Sequence, residues 1–103
     1  MDDTGGGAEG HRLLRLVEVM RTLRRECPWD REQTHESLAK YLIQESYETL
    51  ETIENGDIAL LREELGDVLL QVVFHAAIAA ERPEGDPERF TVDDVADAII
   101  DKM

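Results

Sequence analysis

With 103 residues, 42% hydrophobic and 34% charged, the chain has apolar material for one small domain and little left for a second. Its formal charge of −13, from 24 acids against 11 bases, excludes nucleic-acid binding through a broad basic face, and no Lys/Arg cluster suits an anionic membrane. A polyanionic partner would need a bridging cation, and the single cysteine, Cys27, excludes an intramolecular disulfide and any zinc site built on cysteines.

The opening MDDTGGGAEG lacks the basic flank and apolar core of a signal peptide, and no apolar run reaches the ~18 residues of a membrane span. Residues 1–10 read as a disordered, Gly-rich lead, and residues 11–103 as a single helical domain of a soluble cytoplasmic protein. From His11 to Glu26, apolar side chains recur at Leu13, Leu16, Val17, Met20 and Leu23, the three-four spacing of an amphipathic helix. CPWD breaks it, because Pro28 disfavours helical geometry in the residue before it. Asp30 followed by Gln33 resembles a capping box for the next helix, so residues 27–34 are expected to be a structured connection.

A second helix is predicted from about His35 to Glu54, with Leu38, Leu42, Ile43, Leu50 and Ile53 as its buried stripe. NGD at 55–57 ends it, since Gly56 suits a left-handed closing residue and Asp57 can cap the third helix. That helix, about Ile58 to Glu81, contains VLLQVVFHAAIAA, apolar on nearly every side, which asks for cover from another subunit. RPEGDPER, with two prolines and a glycine, is a loop. A last helix opens at Thr91, with Phe90 and Val95 placed for a hydrophobic staple and Asp94 at the third helical position. It is expected to turn Val92, Val95, Ile99 and Ile100 inward, and its pattern runs on to Met103 as in a domain cut from a longer chain. The expected fold is all-α, an antiparallel bundle of about four helices.

A tight turn at Gly56 makes helices two and three an antiparallel hairpin, in which residues equally far from the turn lie side by side. Glu48 and Glu64 each stand eight residues from Gly56, and Glu45 and Asp67 each stand eleven. Within each helix the two acids are three apart, about 60° around the axis, so they share a face. Acids on a helix are most often a solvated face, but Glu64 sits within an apolar arc formed by Leu60, Leu61, Val68 and Ile78. A carboxylate so placed is costly unless something cationic meets it. Four carboxylates converging from two helices, Glu45, Glu48, Glu64 and Asp67, suit a hard divalent ion such as Mg²⁺.

The blocks CPWDREQTHESL, QESYE, TIENGD, LREELGDVLLQVVFHA and FTVDDV resemble the MazG family of nucleoside triphosphate pyrophosphohydrolases over nearly all of residues 12–103. That family pairs E-E-x-x-E with a later E-x-x-D, matched here by QESYE at 44–48 and ELGD at 64–67. The resemblance implies helical protomers assembled as a homodimer or homotetramer, a need for Mg²⁺ with Mn²⁺ as a substitute, and hydrolysis of nucleoside triphosphates to monophosphate and pyrophosphate. It makes Glu45, Glu48, Glu64 and Asp67 the metal ligands, with Gln44 and Glu45 at the catalytic position. Gln44 stands where the family motif has its first glutamate, and an amide cannot act as a base near neutral pH. Metal binding is expected to survive this and turnover to suffer. The alternative reading is a non-catalytic acidic domain that oligomerises or binds metal or nucleotide as a regulator.

Trp29 can stack on a nucleobase or close the connection over the core. Lys40, on the face of Gln44, can meet phosphate oxygens or remain solvated. Gln71 and His75 continue the line of Glu64 and read as a hydrogen-bonded polar pair, or as groups behind the metal ligands.

Overall fold

A computed structural model of the protein describes residues 9–103. The disorder expected over residues 1–10 falls, for residues 1–8, outside the described residues; Glu9 and Gly10 form a turn into the first helix. Beyond it lie five helices: α1 (His11–Glu26), α2 (Pro28–Glu32), α3 (His35–Glu54), α4 (Ile58–Ala79) and α5 (Val92–Lys102), with no strand among the described residues. The fifth element is the short α2, inside the stretch expected to be a connection. Pro28 ends α1 but also starts α2, because its fixed φ and missing N–H suit the first helical position.

The capping box lies elsewhere than the sequence suggested. Asp30 is inside α2 and Gln33 comes just after it, its Nε2 donating to the Trp29 carbonyl at 3.0 Å. The box that opens α3 is Thr34 with Ser37: Thr34 Oγ1 accepts the Ser37 N–H at 3.0 Å, and Ser37 Oγ accepts the Thr34 N–H at 2.8 Å. At the other end of α3, Gly56 takes φ 70° as expected, and Asp57 caps α4 by accepting the Leu60 N–H at 3.1 Å. A second box, Thr91 with Asp94, opens α5.

Helices α3 and α4 form the antiparallel hairpin, and α1 and α5 pack on α4. The core gathers around the half of α4 far from the turn, where Val17, Met20, Leu38, Val73 and Phe74 are buried with Tyr41, Leu70, Ile78 and Val92 against them. Toward the turn the helices meet through small polar groups instead. Thr49 and Thr52 are buried, and Thr49 Oγ1 donates to the Glu45 carbonyl at 2.8 Å.

This arrangement overturns two expected faces. Of the stripe predicted for α3 only Leu38 is buried; Leu42, Ile43, Leu50 and Ile53 are exposed in the single chain. On α5, Val92 and Val95 are half-buried, but Ile99 and Ile100 are exposed. Periodicity marks an apolar face without saying what covers it, and within one chain the threonine face of α3 meets α4.

Arg24, near the end of α1, ties these parts together. Its Nε and Nη2 donate to Glu81 Oε2 and Oε1 at 2.7 and 2.6 Å, just beyond α4. Its Nη1 donates to the carbonyls of Asp30, Arg31 and Gln33 at 2.8, 3.0 and 2.9 Å.

Candidate metal centre

The hairpin brings Glu45, Glu48 and Glu64 together. One carboxylate oxygen from each lies within 4.8 Å of the other two, so three acids from two helices can reach a single ion. Thr49, next to Glu48 on α3, lies 3.5 Å from the Glu64 carbonyl through its hydroxyl, in keeping with the mirror register about Gly56. Asp67 stands outside the set of three and is exposed. Its side chain is one methylene shorter than glutamate, yet its charge still acts on Glu45 and Glu64.

Electrostatics mark the cluster as under-compensated. Glu45 Oε2 and Glu64 Oε1 are buried and meet no hydrogen-bond partner. Burial first, then the charge of Glu48, pushes both carboxyls above the usual carboxylate range, and Asp67 adds to each. Four acids with no cation among them repel one another, and such a group is stabilised by whatever positive charge it can take up. A set made only of carboxylate oxygens suits a hard ion.

The other expected residues are dispersed around this cluster. Gln44 is exposed, and its Nε2 donates to Glu48 Oε2 at 3.1 Å, so the amide serves as a neutral donor to one of the three acids. Lys40 is exposed, with its Nζ 5.3 Å from the centre of the Tyr41 ring. Trp29 is 52% exposed and packs edge-on against Tyr41 and Phe74, its ring centre 6.2 and 6.3 Å from theirs. Tyr41 lies one helical turn before Glu45 and Phe74 two turns after Asp67, so the indole packs farther from the turn than the carboxylates do.

Gln71 and His75 do not pair with each other. His75 Nδ1 lies 2.7 Å from His35 Nδ1, while Gln71 is buried with its Oε1 unmatched. His35 carried no signal in the sequence because its partner is forty positions away. Arg24 went unmarked for the same reason: a basic residue near a helix end reads as a favourable partner of the helix dipole, and its carbonyl contacts are tertiary. A groove of about 770 Å³ lies at the far end of α4 and is lined by His35, Ile78, Arg82, Arg89 and Phe90 among others, with none of Glu45, Glu48, Glu64 and Asp67.

A profile of the MazG nucleotide pyrophosphohydrolase domain matches residues 33–103 of this chain. The chain belongs to the MazG family. Its similarity extends to a nucleoside triphosphate pyrophosphohydrolase of Mycolicibacterium smegmatis, 50% identical over 94 residues, which are 91% of this chain and 28% of that protein. The nucleoside triphosphate pyrophosphohydrolase/pyrophosphatase MazG of Thermotoga maritima is 51% identical over 90 residues, 85% of this chain and 33% of that protein. A nucleoside triphosphate pyrophosphohydrolase of Escherichia coli K12 is 46% identical over 92 residues, 89% and 33% of the two chains. This MazG chain therefore spans about a third of the length of these relatives. The all-α architecture expected for a MazG domain is the one observed, and the matched stretch holds all four acids but neither Arg24 nor Trp29.

Proposed function

We propose that this chain is the catalytic portion of a cation-dependent hydrolase that converts nucleoside triphosphates to nucleoside monophosphate and pyrophosphate. The observation that carries this reading is the convergence of Glu45, Glu48 and Glu64, two of whose carboxylate oxygens are buried with no protein partner. These residues fit Mg²⁺, with Mn²⁺ as a substitute: Glu45, Glu48 and Glu64 would hold the ion, and Asp67 would complete the set. The bound ion would supply charge neutralisation for the triphosphate and a more acidic water.

The chain's own groups then divide the work. Glu45, half-buried, has one carboxylate oxygen, Oε2, without a protein partner; with its other oxygen toward the ion, this is the group that accepts a proton as water oxygen bonds to the α-phosphorus and the bond to the departing pyrophosphate breaks. Gln44 orients Glu48 through its amide N–H and adds no charge. Trp29 offers its exposed indole to the nucleobase, and Lys40 brings positive charge to the phosphates from one turn before Gln44.

The names of the relatives and the match to the family support the substrate class. A homodimer or homotetramer is part of the proposal, since apolar side chains on α3 and α4 are left exposed by the single chain. Among the described residues no helix is long and apolar enough to cross a membrane, and a cytoplasmic site of action, where nucleoside triphosphates and Mg²⁺ are abundant, goes with the proposed substrate.

The test is pyrophosphate release in Mg²⁺ from several nucleoside triphosphates, by this chain and by its Gln44→Glu variant. Release that chelation abolishes supports the reading. Absence of release from both, with calorimetric Mg²⁺ uptake intact, favours a non-catalytic regulatory or assembly domain, the second reading for which Gln44 in place of a carboxylate speaks.

A further inference from the structure

The geometry points to Arg24 as a positioning residue that anchors α2 to the end of α4, and thereby holds the Trp29 indole where the nucleobase is to bind. The identity of the ligand rests on the hydrolase reading above; the anchoring does not.

A helix of five residues has almost no stability of its own, and its last carbonyls have no partner within it. Arg24 provides that partner: a single nitrogen, Nη1, donates to three carbonyl oxygens, those of Asp30, Arg31 and Gln33, the residues that end α2. The other edge of the guanidinium meets both oxygens of Glu81 in a parallel pair, a planar fork that no other side chain reproduces. The side chain of Arg24 is 9% exposed and that of Glu81 48%, so the guanidinium is covered while its acid partner still meets water. The further tie from α1 is an Arg31 Nη1 contact to the Arg25 carbonyl at 3.2 Å, which is exposed.

Trp29 belongs to the segment so held. Its edge-on contacts with Tyr41 and Phe74 leave much of the ring accessible, and a ring fixed at its base keeps that surface in one orientation. Tyr41 precedes Glu45 by one turn, about 6 Å along the helix axis. That displacement suits a nucleotide whose phosphates lie at the carboxylates and whose base reaches the indole. Arg24 would thus act on nucleotide affinity through Trp29, without touching the reacting atoms.

Trp29 is the only tryptophan, so its emission reports on α2 alone. The experiment compares the chain with Arg24→Gln, Trp29→Ala and the double variant, reading acrylamide quenching on the two proteins that keep Trp29, and on all four KM and kcat for pyrophosphate release and the affinities for a nucleoside triphosphate and for inorganic tripolyphosphate. Arg24→Gln is expected to raise quenching and to raise KM roughly tenfold, the range of one base–aromatic stack, with kcat and tripolyphosphate affinity within about twofold. In the Trp29→Ala background it should cost no further affinity, because a residue that acts through another loses its effect once the other is gone. Unchanged quenching overturns the proposal, as do equal losses for tripolyphosphate or losses that add in the double variant. Should Arg24→Gln fail to fold, Arg24→Lys keeps the charge facing Glu81 while losing the fork, and the same readings apply to it. A wild-type chain that neither binds nor cleaves any nucleoside triphosphate overturns the nucleotide role, while a rise in quenching still supports the anchor.

Discussion

His35 and His75 join the start of α3 to the last turns of α4 through Nδ1 atoms 2.7 Å apart, with ring planes 5° from parallel. One proton serves that line, since one nitrogen must donate and the other accept. Burial, and then the charge of His35, hold His75 below the ordinary imidazole range, and its Nε2 is buried without a partner. The folded chain therefore takes up this proton less readily than the unfolded chain. Stability from the pair is present above the unfolded imidazole pKa and is lost as pH falls below it. The thermal midpoint is expected to drop between about pH 7.5 and about pH 5.5, and His75→Phe should flatten the drop. Glu81, Arg82, Glu88 and Arg89, which line the groove beside His35, are common to both proteins, so the difference in slope isolates the pair. Equal slopes would remove the role given to it.

The carboxylates act with the opposite sign. Glu45 and Glu64 bind protons more tightly in the folded chain than in the unfolded one, so between the ordinary carboxylate pKa and their raised values stability falls as pH rises. In a chelating buffer, and with His75→Phe to silence the histidine pair, the midpoint should rise as pH is lowered through these raised values toward the ordinary carboxylate pKa. Mg²⁺ at roughly a hundredfold over its Kd should add about 2.7 kcal/mol near neutral pH, a shift on the order of 10 °C. Glu45→Gln should raise the midpoint of the metal-free chain at neutral pH and lose most of the Mg²⁺ response. Calorimetric scans with and without Mg²⁺ check both, and a variant that keeps the full response contradicts the ligand role of Glu45.

Gln44→Glu tests the departure from the family motif. The new carboxylate would replace the amide donor to Glu48 and stand beside it as a like charge, at a cost of roughly 0.2–0.5 kcal/mol for an exposed pair on one helix. If position 44 serves general-base chemistry, turnover should rise on the order of a hundredfold, with Mg²⁺ affinity little changed. Pyrophosphate release measured on both proteins decides it: equal rates mean that the position has no part in catalysis.

Local signals made much of this molecule legible. Gly56 and Asp57 close one helix and open the next because left-handed backbone and capping are properties of a few adjacent residues, and Thr91 with Asp94 works the same way. Mirror spacing about a tight turn converts sequence distance into proximity and brought Glu48 and Glu64 together before any fold was known, whereas Asp67, set opposite Glu45 by the same rule, stands outside the set of three. What stayed hidden depends on groups far apart in the chain. The face that α3 turns to α4 is its threonines, although its isoleucines and leucines gave the stronger pattern. Arg24 and His35 read as ordinary polar residues until Glu81, the α2 carbonyls and His75 are folded against them.

The exposed face of α3 leads to the remaining expectation. Leu50 is 46% exposed and Ile53 58%, bordering the buried Thr49 and Thr52 on α3. If the chain stood alone in solution, Ile53→Glu would alter its stability by no more than about 0.5 kcal/mol, as surface changes usually do. If a second copy covers this face, as proposed, the same change buries an unpaired carboxylate at a cost of several kcal/mol and drives the copies apart. Light scattering should then show the mass of the wild type as a multiple of 11.7 kDa and that of Ile53→Glu as a single chain, with a lower thermal midpoint. Since Ile53 lies five residues beyond Glu48, about 7.5 Å along the helix axis toward the turn, Mg²⁺ uptake by the carboxylates should survive in the monomer. Identical masses for the two proteins would show that this face is not the one through which copies associate.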